Sequence, residues 1–206
     1  MPQSRRYKKK KSAGKAILAW IIVFAILAAG VFVFVSAFYE DAKKKLDEMN
    51  YPRTYSTYVE KAAKDYDLDP ALIYAVIHTE SGFNPKAESG VGAKGVMQMM
   101  PSSFEWLQEQ RGCAGQYTED DLFDPEICID YGSYLLKYFY DYYGTERSAI
   151  AAYNAGFVVS DWLNDTKYSS DGKNLDSIPY PETENYVDKV EGAKEMYIKL
   201  YYSQSN

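Results

Sequence analysis

The pattern of apolar and polar positions divides the chain into an apolar N-terminal stretch and a longer amphipathic remainder. Residues 16–38 are 23 consecutive positions without a charged side chain. At a rise of about 1.5 Å per residue, a helix of that length spans the roughly 30 Å hydrocarbon core of a bilayer. The pattern therefore predicts a single N-terminal transmembrane helix.

The remainder of the chain predicts a mainly α-helical domain, because no stretch alternates apolar and polar residues long enough to indicate a sheet. Asp69-Pro70 and Asp124-Pro125 each place an N-cap residue before a proline at the first helical position. Residues 164–177 are polar and predict a surface loop. The predicted helices cover residues 55–64, 70–80, 102–110, 125–143, 146–155, 157–163 and 182–202.

Charge adds an orientation to this picture. Residues 1–15 carry seven basic side chains and no acid, whereas the rest of the chain has 16 basic and 29 acidic residues, a net charge of −13. Basic residues before a membrane helix predict a cytoplasmic N-terminus and an extracytoplasmic domain. The acidic remainder argues against a nucleic-acid partner, which requires a positive surface.

These observations predict four segments and a single-pass protein of the cell membrane. Residues 1–15 are the basic cytoplasmic segment, 16–38 the membrane anchor, 39–53 a short charged stalk and 54–206 the folded domain. A cleaved signal peptide is the alternative, with residues 35–37 as a possible cleavage site. The apolar region is longer than the usual signal-peptide core of about 7–15 residues, which favours the anchor.

The two cysteines, Cys113 and Cys128, fall in the part of the chain predicted to lie outside the cytoplasm. A disulfide persists in that environment, so we expect a structural bridge between them, with two unpaired thiols as the alternative. His78 is the sole histidine and lies within a predicted helix, where we expect it to be packed. We expect no metal site, because a zinc site would lack ligands, and no cofactor.

The glycines Gly90, Gly92 and Gly95 match the pattern G-x-G-x-x-G of dinucleotide-binding proteins. That pattern is informative only after a strand and at the start of a helix. Here it follows a loop containing proline, and a helix is predicted only from about residue 101. We therefore expect these glycines to allow positive φ angles or a close approach of the backbone to a ligand.

Glu80 is the strongest candidate for chemistry in the sequence. It follows the apolar run at residues 71–78 and precedes a loop rich in glycine and proline. A carboxyl group at the end of an apolar helix is desolvated, and desolvation raises its pKa toward the range useful for general-acid catalysis near neutral pH.

Three motifs, in order along residues 54–202, resemble the soluble lytic transglycosylase family of the lysozyme-like superfamily. The first runs from Glu80 to Pro101, the second is Ala152-Tyr153-Asn154-Ala155-Gly156, and the third is Glu182-Thr183-x-x-Tyr186-Val187. The resemblance implies a lysozyme-like, mostly helical fold. It also implies cleavage of the β-1,4 bond between N-acetylmuramic acid and N-acetylglucosamine in peptidoglycan, leaving 1,6-anhydro ends.

The resemblance also implies residue roles. Glu80 matches the catalytic acid of the family. Its substrate-binding residues correspond to Ser89, Gln98, Tyr153, Asn154 and Tyr186. Tyr180, which has no support from motif position, is a weaker candidate for stacking on a sugar. Met97 or Met99 could line the cleft, although packing is the simpler interpretation.

The mechanism implied by the resemblance uses one carboxyl group, whereas most glycosidases use two. The sugar's N-acetyl group supports the cation, and ionised Glu80 then removes the proton of the C6 hydroxyl, which closes on C1. We expect Glu88 to be a solvated charge. Two alternatives stay open: a hydrolytic muramidase using Asp161 or Glu184, and a wall-binding scaffold without turnover. The sequence names no protein partner.

Overall fold

The computed structural model describes residues 8–203, and within that range the chain is mainly helical. Two 3₁₀ turns, Glu119–Phe123 and Gly156–Val158, and a final π turn, Ile198–Tyr202, supplement the α-helices. The α-helices in the described range are Lys8–Asn50 (α1), Ser56–Tyr66 (α2), Pro70–Ser81 (α3), Pro101–Gln110 (α4), Pro125–Tyr143 (α5), Glu146–Ala155 (α6), Val159–Asn164 (α7) and Pro181–Tyr197 (α8).

The chain divides into two compact units, Met1–Asn50 and Tyr51–Asn206. The first unit contains α1, whose apolar side chains from Ile17 to Phe38 are exposed. Among the described residues, α1 is the helix long and apolar enough to cross a membrane. A helix with exposed apolar side chains over this length suits a lipid environment rather than water.

The second unit is built around α3. Every residue from Ala71 to Ile77 is at most 1% exposed, so this part of α3 is buried on all sides. It packs against α8 and α2, while α5 packs against α2 and α6. A helix that is apolar all round forms the centre of a helical domain, and its C-terminal end carries Glu80 out of that centre.

The helix boundaries follow the caps predicted from the sequence. The Asp69 carboxylate accepts a hydrogen bond from the Ala71 N–H at 2.9 Å, and the Asp124 carboxylate accepts one from the Glu126 N–H at 2.8 Å. Gly144 ends α5 with a positive φ of 76°. The N-cap predictions at both Asp-Pro pairs are therefore confirmed.

Two details differ from the prediction. The 3₁₀ turn Glu119–Phe123 was not predicted, although Thr118 and Asp121 form a capping box there that spacing alone could have indicated. The predicted helix at 157–163 is divided into a 3₁₀ turn and α7.

The predicted disulfide is wrong, because Cys113 and Cys128 are both free thiols. The Cys128 Sγ lies 3.4 Å from the backbone N of Met97, and the Cys113 Sγ lies 3.2 Å from the Tyr131 hydroxyl. Each sulfur therefore contacts a different element. Burial raises the pKa of Cys128 to about 12, so its thiol is unreactive near neutral pH.

His78 is packed, as expected from its position within a helix. Its ring stacks on Tyr51 with centroids 4.8 Å apart and an interplanar angle of 15°. The hydroxyls of Tyr197 and Tyr201 donate to the carbonyls of Pro52 and Tyr51. The start of the second unit is thus attached to the C-terminal part of the same unit.

Candidate active site

Glu80 lies in the last turn of α3, where the buried helix meets a long loop. The helix ends at Gly82, whose φ of 57° is a left-handed C-cap conformation favourable to glycine. Ser81, the last residue of α3, anchors the loop, because its hydroxyl donates to the Val96 carbonyl at 2.8 Å. The end of α3 and the far side of the loop are therefore held together beside the carboxyl group.

The surroundings of Glu80 act on its pKa in opposite directions. Burial disfavours the charged form, and the net result of the opposing effects is a pKa raised from 4.5 to about 7. The Tyr186 hydroxyl donates a 2.7 Å hydrogen bond to Glu80 Oε1, which lowers the pKa. Burial is the larger effect, so a substantial fraction of Glu80 is protonated near neutral pH.

Tyr153 and Tyr186 both experience the charge of Glu80. The pKa of each phenol lies well above its usual value, first because of burial and second because of the nearby carboxylate. Both tyrosines therefore stay protonated as hydrogen-bond donors. The Tyr153 hydroxyl donates to the Met97 carbonyl at 2.9 Å, which connects α6 to the loop after α3.

That loop is braced by its own polar groups. The Gln98 Nε2 group donates to the carbonyls of Ala87 and Gly95, both at 3.0 Å. The Ser89 hydroxyl accepts from the Ala93 N–H at 2.9 Å. Ser89 and Gln98, which the resemblance assigns to sugar binding, thus make hydrogen bonds within the loop, and Gln98 does so with a positive φ of 48°.

Gly95 occupies the tightest point of this loop. Its φ is 76°, and a Cβ built there would lie 2.0 Å from the Leu122 carbonyl oxygen and 2.8 Å from the Cys128 Sγ. Of the three glycines in the G-x-G-x-x-G pattern, this one permits close packing of backbone against backbone. At Gly95 the backbone therefore approaches another part of the chain closely, where the sequence led us to expect a close approach to a ligand.

Asn154 is exposed and is held by a residue for which the sequence suggested no role. The Thr183 hydroxyl donates to Asn154 Oδ1 at 2.8 Å. Thr183 and Tyr186 are three residues apart on α8 and therefore share one side of that helix. One side of α8 thus orients both Asn154 and Glu80, and the spacing within the third motif could have indicated it.

The three methionines around Gln98 are placed differently from one another. Met97 and Met99 are buried, whereas Met100 is 38% exposed at the N-cap of α4. Packing is therefore the role of Met97 and Met99. The methionine side chain available at the surface is Met100, which sequence reasoning missed.

Asp161 and Glu184, the carboxylates of the hydrolytic alternative, are solvent-exposed, and so is Glu88, which was expected to be a solvated charge. Glu88 lies on the exposed side of the loop, and Asp161 is exposed on α7. Glu184 is two residues from Tyr186 on α8 and so does not share its side of the helix. Within residues 8–203, no group of three or more His, Cys, Asp and Glu side chains is placed to hold a metal ion.

Comparison with known proteins gives one family. The model of the transglycosylase SLT domain family matches residues 57–175. The soluble lytic murein transglycosylase of Escherichia coli K12 is 33% identical over 146 residues, which are 69% of this chain and 23% of that protein. Membrane-bound lytic murein transglycosylase C of Actinobacillus succinogenes is 31% identical over 170 residues, covering 72% of this chain and 48% of that protein.

The solved structures give the same result for the fold. The 70 kDa soluble lytic transglycosylase SLT70 of Escherichia coli superposes with a TM-score of 0.68 and 28% identity, over 76% of this chain and 26% of that one. The chain thus spans about a quarter of the length of the soluble relatives and about half of the membrane-bound one. The prediction of a mainly α-helical, lysozyme-like transglycosylase fold is confirmed.

Proposed function

Because this chain belongs to the transglycosylase SLT domain family, we propose that it is a lytic transglycosylase of bacterial peptidoglycan. The proposed reaction cleaves the β-1,4 bond between N-acetylmuramic acid and N-acetylglucosamine without water and leaves a 1,6-anhydro end. The observation that carries the proposal is the partly buried carboxyl of Glu80, with its pKa raised to about 7 and Tyr186 at 2.7 Å.

In the first step, protonated Glu80 acts as the general acid. It donates its proton to the oxygen of the glycosidic bond, the C1–O bond breaks, and positive charge develops at C1 of the muramic acid sugar. A catalytic acid works best when its pKa is close to the working pH. The burial of Glu80 supports this role, because an exposed glutamate would be almost wholly ionised at neutral pH.

In the second step, the Glu80 carboxylate acts as the base. It accepts the proton of the sugar's C6 hydroxyl, and the C6 oxygen bonds to C1 to close the anhydro ring. Glu80 then holds a proton again, and no water is consumed. The hydrogen bond from Tyr186 stabilises the carboxylate between the steps, and the internal hydroxyl has the advantage of proximity.

The substrate-binding part of the proposal assigns Ser89, Gln98, Tyr153 and Asn154 to the glycan groove. Asn154 is supported best, because its carbonyl oxygen already accepts from Thr183 and its NH₂ group is therefore the end available to donate to a sugar. Gln98 and Ser89 contribute at least by holding the loop in shape.

We also propose that residues 16–38 anchor the enzyme in the cytoplasmic membrane, with residues 1–15 inside, a stalk at 39–53 and the catalytic domain, 54–206, outside. The exposed apolar helix α1 supports the anchor, and the basic residues at positions 1–15 support the orientation. The anchor predicts that the full-mass protein stays in the membrane pellet after alkaline carbonate extraction. Recovery of a shorter soluble form beginning after residue 37 would favour a cleaved signal peptide.

Digestion of purified peptidoglycan by the full chain in detergent tests the enzymatic proposal. We expect wild type to release soluble muropeptides and Glu80→Gln to release none. Glu88→Gln is the matched control, because Glu88 is an exposed glutamate of the adjoining loop, and it should retain full activity. Binding of glycan by wild type without any release would favour the wall-binding scaffold.

A further inference from the structure

Four aromatic side chains from three separate elements form a continuous cluster at the surface of the second unit. Trp106 of α4 contacts Tyr138 of α5 edge-to-face with ring centroids 5.0 Å apart. Phe157 lies 5.8 Å from Tyr142, 6.2 Å from Tyr138 and 6.5 Å from Trp106. We name these four residues the aromatic platform.

Two members of the aromatic platform are open to solvent. Tyr142 is 58% exposed and Phe157 is 48% exposed, while Phe139 beneath them is buried. A contiguous exposed apolar patch is more informative than scattered apolar residues, because it marks a ligand or partner site. The rings also hold one another in fixed orientations, so little conformational entropy is lost on binding.

The chain holds Phe157 in this cluster with an unusual backbone conformation. Gly156 has φ 74° and ψ −154°, a combination that is essentially limited to glycine. The Tyr143 hydroxyl contacts the Phe157 carbonyl at 3.5 Å and the Ser160 hydroxyl at 3.1 Å. The turn after α6 thus brings an exposed phenylalanine onto the rings of α5.

The aromatic platform lies close along the chain to segments of the proposed glycan groove. Helix α4 begins at Pro101, three residues after Gln98, and Trp106 lies about 7.5 Å further along its axis. Phe157 follows Asn154 by three residues, which limits their separation to roughly 10 Å. Both edges of the platform therefore extend directly from segments that carry proposed sugar ligands.

The net charge of the second unit limits which ligand the aromatic platform can bind. The unit from residue 51 to 206 has 25 acidic and 13 basic side chains, a net charge of −12. This charge repels anionic lipid surfaces and nucleic acids. Peptidoglycan glycan carries its carboxylates only on the lactyl groups of muramic acid, so the faces of its sugar rings are uncharged, and their C–H groups suit the negative faces of aromatic rings. The tyrosine hydroxyls at the ring edges can meet sugar hydroxyls.

We infer that the aromatic platform is a distal glycan subsite, which stacks sugars of the same strand beyond those held near Glu80. This inference rests on the proposed function, since it takes peptidoglycan glycan as the ligand. Such a subsite makes binding depend on strand length.

The test measures dissociation constants for peptide-free peptidoglycan glycans of four and of eight sugars. The protein is the full chain in detergent carrying Glu80→Gln, so that nothing is cleaved. Phe157→Ala and Phe157→Leu are added separately; the second keeps apolar volume and removes the ring. Tyr140→Ala is the control, because Tyr140 lies on α5 but two residues from both Tyr138 and Tyr142 and so on another side.

We expect both Phe157 variants to weaken binding of the longer glycan about five- to tenfold, to leave the shorter glycan unchanged, and to melt as the parent does. Unchanged binding of the longer glycan would overturn the subsite and leave the proposed function standing. Equal weakening for both lengths, or conversion of a dimer to a monomer by Phe157→Ala in sedimentation, would also overturn it. No binding of either glycan by the parent would overturn both proposals.

Discussion

At the scale of the residue, Glu80 is a carboxyl group whose environment favours the proton. Burial raises its pKa and the hydrogen bond from Tyr186 opposes that rise, so that the pKa lies at about 7. An acid that must donate and then recover a proton needs both forms to be accessible. Burial favours the protonated form and the Tyr186 hydrogen bond favours the ionised form, so both forms of Glu80 are accessible.

The raised pKa has a cost in stability whose pH dependence can be measured. Between pH 4.5 and about 7 the folded state keeps the Glu80 proton while the unfolded state loses it, so stability falls as pH rises through this window. Glu80→Gln removes the ionisable group. We expect it to be more stable than wild type by roughly 3 kcal/mol at pH 8 and equal at pH 4.

Chemical denaturation at the two pH values, with Glu88→Gln as the exposed control, checks this prediction. A stability difference between Glu80→Gln and wild type that is the same at both pH values would show that Glu80 titrates normally.

Tyr186 should set the position of the alkaline limb of the activity profile. Its hydroxyl favours ionised Glu80, so Tyr186→Phe should raise the pKa of Glu80. In the proposed mechanism activity requires protonated Glu80, so it falls as pH rises through that pKa. We therefore expect the limb in kcat/KM to move to higher pH in the variant, together with a lower maximum rate. If the alkaline limb stayed at the same pH in the variant, it would reflect the titration of a group other than Glu80.

At the scale of the element, the loop between α3 and α4 depends on one close approach. A side chain at Gly95 would collide with the Leu122 carbonyl, whereas a Cβ at Gly92 has no neighbour within 4 Å. Both glycines have positive φ. A substitution at Gly92 therefore tests backbone strain alone, whereas one at Gly95 tests strain and collision together.

We expect Gly92→Ala to cost about 1–2 kcal/mol of stability and Gly95→Ala more than about 3 kcal/mol. Thermal and urea unfolding of the two variants give the comparison. Equal losses would mean that Leu122 moves aside easily and that the loop is not fixed there.

The free cysteines concern the same region, since Cys128 packs against Gly95 and Met97. Protein purified without reductant should show two reactive thiols per chain when unfolded, and reductant should leave its melting temperature unchanged. Detection of no thiol, with a lower melting temperature after reduction, would restore the predicted disulfide.

The elements themselves were largely readable from the sequence. Asp69-Pro70 and Asp124-Pro125 begin helices because an Asp cap and a fixed proline φ are local effects. The disulfide prediction failed because thiol pairing depends on which way two distant side chains point, and Cys113 faces Tyr131. Spacing along the chain contains no such information.

At the scale of the whole molecule, the site depends on contacts between residues far apart in sequence. Tyr186 meets Glu80 across 106 positions and Thr183 meets Asn154 across 29. Motif resemblance could name Tyr186 and Asn154. The sequence does not show the hydrogen bond that holds each of them, because that bond depends on how the helices pack. The same is true of the aromatic platform, which is assembled from α4, α5 and the turn after α6.

The central claim is that one carboxyl group cleaves the glycan with the sugar's own hydroxyl as nucleophile. Digestion of peptidoglycan in heavy-oxygen water, followed by mass spectrometry of the released muropeptides, tests it most directly. We predict products one water lighter than hydrolysis gives, with no heavy oxygen, and no products from Glu80→Gln. Heavy oxygen at the reducing ends would contradict the claim and identify a hydrolase.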